Sequence, residues 1–245
     1  MINLAIDIGN TRVKTAVFNE HEIIDMQPID LSDLLAYSLS KGPNYLVVSS
    51  VRVEARAVVT QLQHAGLKVF EINNHTPLPF ENNYKTPHTL GIDRVCSMAG
   101  AQMLFPEQNC LVVDAGTCVT YDTISTSGSY AGGAISPGLN MRLRALHEFT
   151  SKLPLVKPVW FNNLEGNSTE ESILSGVCQG LVDEINGKIA RYMEHYNPLQ
   201  VILTGGDADF LGKHLKSNIF VAPSLVLQGL NQILLFNVKK GNWPT

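Results

Sequence analysis

Eight residues near the start of the chain recur in altered form 107 positions later: Asn3-Leu-Ala-Ile-Asp-Ile-Gly-Asn10 lies on Cys110-Leu-Val-Val-Asp-Ala-Gly-Thr117. Asp7 falls on Asp114, Gly9 on Gly116 and, further along, Val17 on Ile124. Each copy reads as an apolar strand ending in Asp-x-Gly, then a turn, then a second strand. One Asp-x-Gly match arises easily by chance. The same match inside a strand–turn–strand frame, once near the start of each half, does not. The chain therefore reads as an internal duplication, with halves 1–107 and 108–245 and no flexible linker between them. A length of 245 residues suits one large domain or two such halves.

Between the repeats, strands and helices alternate. Residues 3–7 and 12–18 read as strands, 31–39 as a short helix with Asp30 and Ser32 available as caps, and 45–50 as a buried parallel strand. A helix with apolar face Val58, Leu62 and Ala65 follows and stops at Gly66, then a strand at 68–72. Residues 73–87 read as a loop and 91–104 as a helix rich in small residues. In the second half, a Gly-rich turn (Gly132, Gly133, Gly138) precedes a helix at 139–149. A long helix at 169–196, a strand at 200–204, a Gly205-Gly206-Asp207 turn and a last helix at 225–235 complete it. This alternation implies an α/β fold.

The composition excludes several classes. Apolar residues make up 44% and charged residues 16%, so the chain can bury a core. Eighteen basic against 22 acidic residues argue against nucleic acid or another polyanion as the main partner. No apolar run approaches the ~18 residues of a membrane span. MINLAIDIGN has no basic lead-in and carries Asp7 within its apolar stretch, unlike a signal peptide. These features give the expectation of a soluble, cytoplasmic protein. The four cysteines show no CxxC pair and the seven histidines no HxH or HExxH, so neither zinc nor disulfides are expected.

Chemistry concentrates at three turns. In Asp7-Ile-Gly-Asn-Thr-Arg-Val-Lys14, backbone amides and the Asn10 and Thr11 side chains can close around phosphate oxygens, and Gly9 permits close approach. Arg12 and Lys14, two apart on a strand, project to one side and can neutralise a polyphosphate. Asp7 ends a buried strand, where it can hold Mg²⁺ through water. Asp114-Ala-Gly-Thr-Cys-Val-Thr120 repeats the carboxylate and the hydroxyl turn. Its carboxylate ends an apolar run and needs a cation or donors in compensation. Val201-Ile-Leu-Thr-Gly-Gly-Asp207 runs a buried strand into bare backbone suited to a nucleotide base or ribose. Each turn, taken singly, is also ordinary hairpin chemistry. Asp93, in a first helical turn, is equally what a helix dipole favours. Ser168 or Thr169 followed by Glu171 is also a capping sequence. The Ala99-Gly100-Ala101 run reads as close helix packing.

Together these segments resemble the superfamily of sugar kinases, actin and heat-shock chaperone ATPases, and more specifically the type III pantothenate kinases. The resemblance runs through Asp7 to Lys14, Gly91-Ile-Asp-Arg94, Asp114-Ala-Gly-Thr117, Gly132-Gly-Ala-Ile-Ser-Pro-Gly138, Thr169 before Ser175-Gly176, and Thr204-Gly-Gly206. Gly91-Ile-Asp-Arg94 is the discriminating segment; Cys118, where Ala is common in the family, is the main departure. The resemblance implies a duplicated ribonuclease H-like, actin-like ATPase fold whose two halves flank a nucleotide cleft. It implies a homodimeric kinase that transfers the γ-phosphoryl group of ATP to the 4′-hydroxyl of pantothenate, the first step of coenzyme A biosynthesis. ATP contacts would be Asp7, Ile8, Gly9, Asn10, Thr11, Arg12, Val13, Lys14 and Thr117. Pantothenate would meet Tyr84, Gly91, Ile92, Asp93, Arg94 and, across a dimer interface, Thr169. Asp93 would be the general base, and Asp114 would ligate a monovalent cation (K⁺ or NH₄⁺) beside Mg²⁺-bound ATP.

Two other functions remain compatible with the same residues. One is a kinase of another small hydroxy acid or sugar, and the other is a non-catalytic regulator on this fold, as in Bvg accessory factor proteins. The apolar positions Ile173, Leu174, Val177, Leu181, Ile185 and Ile189 form roughly one helical face. By pattern alone that face packs on its own sheet, whereas the resemblance places a helix of this region at a twofold interface.

Overall fold

The computed structural model describes residues 1–9, 13–50 and 55–242, with only the backbone of Ser50 and Ala55. Asn10, Thr11 and Arg12 lie outside the described residues. The chain runs β1 (Ile2–Ile8), β2 (Val13–Asn19), β3 (Glu22–Ile29), α1 (Leu34–Lys41), β4 (Tyr45–Ser50), α2 (Ala55–His64), β5 (Val69–Glu71), β6 (Glu81–Asn82) and α3 (Ile92–Leu104). It continues β7 (Cys110–Ala115), β8 (Cys118–Ile124), β9 (Ser129–Pro137), α4 (Leu139–Glu148), α5 (Thr169–Leu174), α6 (Gly180–His195), β10 (Gln200–Thr204), α7 (Ala208–Gly212), β11 (Phe220–Val221) and α8 (Leu225–Lys240). Two compact units result. The first contains Met1–Pro106, Ser127–Ala131 and Ser224–Thr245; the second contains Glu107–Thr126 and Gly132–Pro223. This grouping departs from a single cut at 107, because α8 and the start of β9 belong to the first unit.

In the first unit the strand order is β3-β2-β1-β4-β5. The β1–β2 and β2–β3 pairs are antiparallel, and β1–β4 and β4–β5 are parallel. Strand alternation sorts β1 onto two faces. Leu4, Ile6 and Ile8 pack with Leu34 of α1, Val59 and Leu62 of α2, and Leu46 and Val48 of β4. Asn3, Ala5 and Asp7 face the other way, where Asn3 meets Asn231 of α8 at 3.0 Å. Asn231 also donates to the Glu20 carbonyl at 2.7 Å, so one buried amide ties α8 to the β1–β2 sheet. Helices α3 and α8 cross closely: a Cβ on Gly229 would lie 1.8 Å from the Cys96 carbonyl oxygen, and one on Gly100 2.6 Å from that of Leu225. The small-residue run in α3 is therefore the packing feature that the sequence suggests.

The second unit repeats the order as β9-β8-β7-β10-β11, with β7–β8 antiparallel and β7–β10 and β10–β11 parallel. The α/β class and the duplication both hold. The register corrects one detail. Asp7 pairs with Lys14, but Asp114 pairs with Thr120, and Asn3 pairs with Phe18 while Cys110 pairs with Ile124. The second turn is one residue shorter, so Ile124 takes the place of Phe18 rather than Val17.

Other expectations shift. The segment with Gly132 and Gly133 is strand β9, not a turn, and β3 was not anticipated. Residues 81–82, read as loop, form β6, which pairs with the start of β9. Asp30 starts a 3₁₀ turn without a side-chain cap bond. The long helix breaks at a π-helical turn, Ser175–Gln179, and the last helix extends to Lys240. Ile173, Val177, Leu181, Ile185 and Ile189 pack in the core of their own unit against Leu111, Val113 and Tyr121, as the pattern-based reading expects.

Candidate active site

The first unit gathers one group of chemistry-bearing residues. Asp7, half-buried near the end of β1, takes a hydrogen bond at Oδ1 from the Ser49 hydroxyl, 2.8 Å away on the parallel neighbour β4. Burial lifts the Asp7 carboxyl above its ordinary value; the Ser49 bond and Lys14 pull it down, and Asp93 adds to the rise. Lys14 stands across the β1–β2 pair from Asp7 and is exposed. Cys96, one turn beyond Asp93 on α3, is fully buried, and its thiol is held well above the ordinary value by burial, then by Asp7 and Asp93. Asp7, Lys14 and Asp93 therefore share one electrostatic neighbourhood.

Helix α3 begins at Ile92 with Gly91 as its N-cap residue. Asp93 lies in the first turn, exposed, and its Oδ1 accepts from the Arg94 backbone N–H at 2.8 Å. That carboxylate folds back over Gly91, where a Cβ would sit 2.3 Å from Oδ1. Arg94 is 6% exposed, and its guanidinium lies 5.5 Å from the centroid of the Tyr84 ring. Tyr84 stacks at 6.1 Å on the buried Tyr130, and Phe80 meets Tyr130 edge-on. Tyr84, Gly91, Ile92, Asp93 and Arg94 thus stand together with Asp7 and Lys14 in one unit. Asn10, Thr11 and Arg12, expected in the same group, lie outside the described residues.

The second unit carries the repeat of the turn. Asp114 is partly buried at the end of β7, beside Thr120 on β8 and Thr204 on β10. The turn is tight, with the Gly116 N–H donating to the Cys118 carbonyl at 2.9 Å and Thr117 exposed at its tip. Two glycines admit neighbouring backbone. A Cβ on Gly138 would lie 2.1 Å from the Gly116 oxygen, and Gly205, at φ +97°, would place one 2.2 Å from that of Ala115. The Gly138 N–H donates to the Thr117 carbonyl at 3.1 Å. Arg142 on α4 holds the approach to Gly138, bonding the Pro137 carbonyl, the Ser136 hydroxyl and Glu184 of α6. Glu184 also accepts from the Tyr121 hydroxyl at 2.8 Å.

Thr169 is exposed at the start of α5, where Ser168 accepts from the Glu171 N–H at 3.2 Å and Glu171 accepts from the Asn167 N–H at 3.0 Å. Thr169 lines a groove of about 1140 Å³ with Arg142, Leu146, Phe149, Leu153 and Val177, all from the second unit. The sequence expectation left out Ser49, Tyr130 and the Arg142–Glu184–Tyr121 group. None of them carried a local signal, since each gains its meaning from strand register or tertiary contact.

Comparison with known proteins supplies the kinship. The family of type III pantothenate kinases matches residues 3–191. A type III pantothenate kinase of Christiangramia forsetii is 41% identical over 240 residues, covering 96% of this chain and 99% of the relative. Among solved structures, a Campylobacter jejuni protein described as a Baf family transcriptional activator superposes with TM-score 0.64 at 20% identity, over 96% of this chain and 99% of that one. A Listeria monocytogenes protein described as an N-acetylmannosamine kinase does so with TM-score 0.54 at 16% identity, over 97% and 100%. The two structures carry the fold alone: a duplicated actin-like ATPase fold shared with sugar kinases. By the family match and by identity over nearly its full length, the chain belongs to the type III pantothenate kinase family.

Proposed function

We propose that this chain is an ATP-dependent pantothenate kinase, in which Asp93 takes the proton from the 4′-hydroxyl of pantothenate as that oxygen bonds the γ-phosphorus of ATP. The bridge between the γ-phosphorus and the β-phosphate oxygen breaks, and 4′-phosphopantothenate, ADP and a proton result. The observation that carries this reading is the start of α3. There an exposed carboxylate is fixed by the Arg94 N–H beside a guanidinium 5.5 Å from the centroid of the Tyr84 ring. Phosphoryl transfer asks of a protein mainly positioning and charge. Arg94, its guanidinium over the Tyr84 ring, suits the carboxylate of pantothenate; Gly91 and Ile92 line the same site.

ATP is assigned to the turn from Asp7 through Lys14, including Ile8, Gly9, Asn10, Thr11, Arg12 and Val13, and to Thr117 in the second unit. Among the described residues no group of three or more His, Cys, Asp or Glu side chains could hold a metal. Mg²⁺ would come with ATP, its shell filled mostly by phosphate oxygens and water, with Asp7 reached through water. When bound, Mg²⁺ neutralises phosphate charge. Around Asp114 the donors are oxygens, with Thr120 and Thr204 as register neighbours, which suits a monovalent cation such as K⁺ or NH₄⁺.

The protein acts as a homodimer in this reading, with Thr169 of one subunit completing the pantothenate pocket of the other. The apolar face of α5 and α6 is committed to its own core. The twofold contact therefore falls to the Thr169 groove, whose lining includes the exposed Phe149 (86%). The cytoplasm is the proposed location, as for the first step of coenzyme A biosynthesis, and no helix of the described residues is long and apolar enough to cross a membrane. The test is ATP-dependent formation of 4′-phosphopantothenate by purified protein, beside a panel of other hydroxy acids and sugars. Asp93→Asn is expected to lower kcat by ~10²–10⁴ while ATP binding stays nearly intact. Preference for another acceptor, or ATP binding without turnover, overturns the reading.

A further inference from the structure

We propose that Ser49 is a positioning residue for the nucleotide: its hydroxyl fixes the orientation of the Asp7 carboxylate toward Mg·ATP. The inference rests on the assignment of the Asp7 turn to ATP. An Asp side chain rotates broadly about its last torsion, so a carboxylate at a strand end needs a partner to hold one orientation. The groups facing Asp7 are Lys14 on β2, Ser49 on β4, and Asp93 and Cys96 on α3. Lys14 is exposed on a flexible stem and cannot fix an angle. Asp93 repels. Ser49, 3% exposed near the C-terminal end of an interior strand, donates to Oδ1 at 2.8 Å from a backbone locked in parallel register with Asp7.

The second unit repeats the placement with different residues. There β10 runs parallel to β7 and sets Thr204, 2% exposed, in register with Asp114. The residues that follow differ: Ser49 precedes Ser50, Thr204 precedes Gly205. A buried hydroxyl residue in register with the strand-end carboxylate is thus present twice in the duplicated fold.

Three variants test this: Ser49→Ala removes the donor, Ser49→Thr keeps it, and Ser49→Cys keeps the volume with a weak donor should the alanine variant not fold. Calorimetric titration with Mg·ATP is read beside steady-state kinetics and thermal melting. Ser49→Ala, or Ser49→Cys in its stead, is expected to weaken Mg·ATP binding and raise its KM by about 10-fold or more, the scale of a hydrogen bond to a charged group. The KM for pantothenate and the melting temperature stay near wild type, and Ser49→Thr restores nucleotide affinity. Unchanged Mg·ATP affinity overturns the proposal, as does an equal loss toward both substrates that follows a fall in melting temperature. If the wild type binds Mg·ATP but does not phosphorylate pantothenate, the substrate assignment fails while the titration still decides the role of Ser49.

Discussion

Gly91 has ordinary backbone angles, φ −60° and ψ 135°, so nothing in the main chain demands a glycine. What demands it is the Asp93 carboxylate folded back over it, 2.3 Å from where a Cβ would stand. Gly91→Ala should therefore push that carboxylate aside. The expected outcome is a fall in kcat of ~10²-fold or more, on the scale of general acid–base catalysis, with a melting temperature near that of wild type; a normal kcat would show that the carboxylate orientation is immaterial. Asp114 poses a second question at this scale. If it holds a monovalent cation near the phosphate tail, activity should be present in K⁺ or NH₄⁺ buffer and low when Na⁺ replaces them, whereas equal rates in all three remove that role. Asp7 and Asp114 were legible in the sequence because each ends an apolar run and the run repeats. Ser49 was not, since its meaning depends on the register of β4 against β1, and no local pattern encodes a tertiary pairing.

The elements that carry these residues differ in how plainly they could be read. Strand β1 shows as an apolar run because both faces are covered. Strand β3 alternates in burial, but it leaves the apolar Ile24 (55%) and Met26 (50%) on its solvent face and carries Pro28 at a sheet edge, so the sequence shows no matching apolar–polar alternation to read. Gly132 and Gly133 suggested a turn, yet Gly133 lies within β9, where a Cβ would stand 1.9 Å from the Tyr121 carbonyl oxygen. Close backbone approach and turning both call for glycine, and the sequence does not separate them. The crossing of α3 and α8 has the same character. Gly229→Ala forces a methyl against the Cys96 backbone and should cost ~1–3 kcal/mol of stability, read as a lower denaturant midpoint. Because α3 carries Asp93, kcat should fall as well. Between α4 and α6, burial would raise the Glu184 carboxyl, but bonds from Arg142, Tyr121 and Ser136 outweigh it and hold the group below its ordinary 4.5. A depressed folded-state value stabilises the fold above the unfolded value and loses that contribution as pH falls through the folded one. Glu184→Gln should therefore unfold more readily than wild type at pH 7, measured by urea titration, and the gap should narrow as pH falls below about 4.5. A constant gap would assign the effect to packing.

For the whole molecule, the proposed exchange of Thr169 between subunits makes a test that no monomer can pass. An inactive Asp93→Asn chain mixed with an inactive Thr169 variant should regain partial activity, because one hybrid pocket combines an intact Asp93 with an intact Thr169. Verified heterodimers without rescue would remove the shared pocket. The division of the chain also bears on how it is made. The first unit is not finished where its first 106 residues end, because it takes back Ser224–Thr245, and α8 lies against β1 and α3. On a ribosome, which releases the chain from its N-terminus, the residues around Asp7 and Asp93 must wait for the last helix. The inserted unit, 107–126 and 132–223, has emerged in full before then. Order of synthesis and order of completion are thus reversed for the two units. A stop a few dozen residues early would leave the first unit without the helix that seats Asn3 and Cys96, and with its sheet face bare to chaperones and proteases.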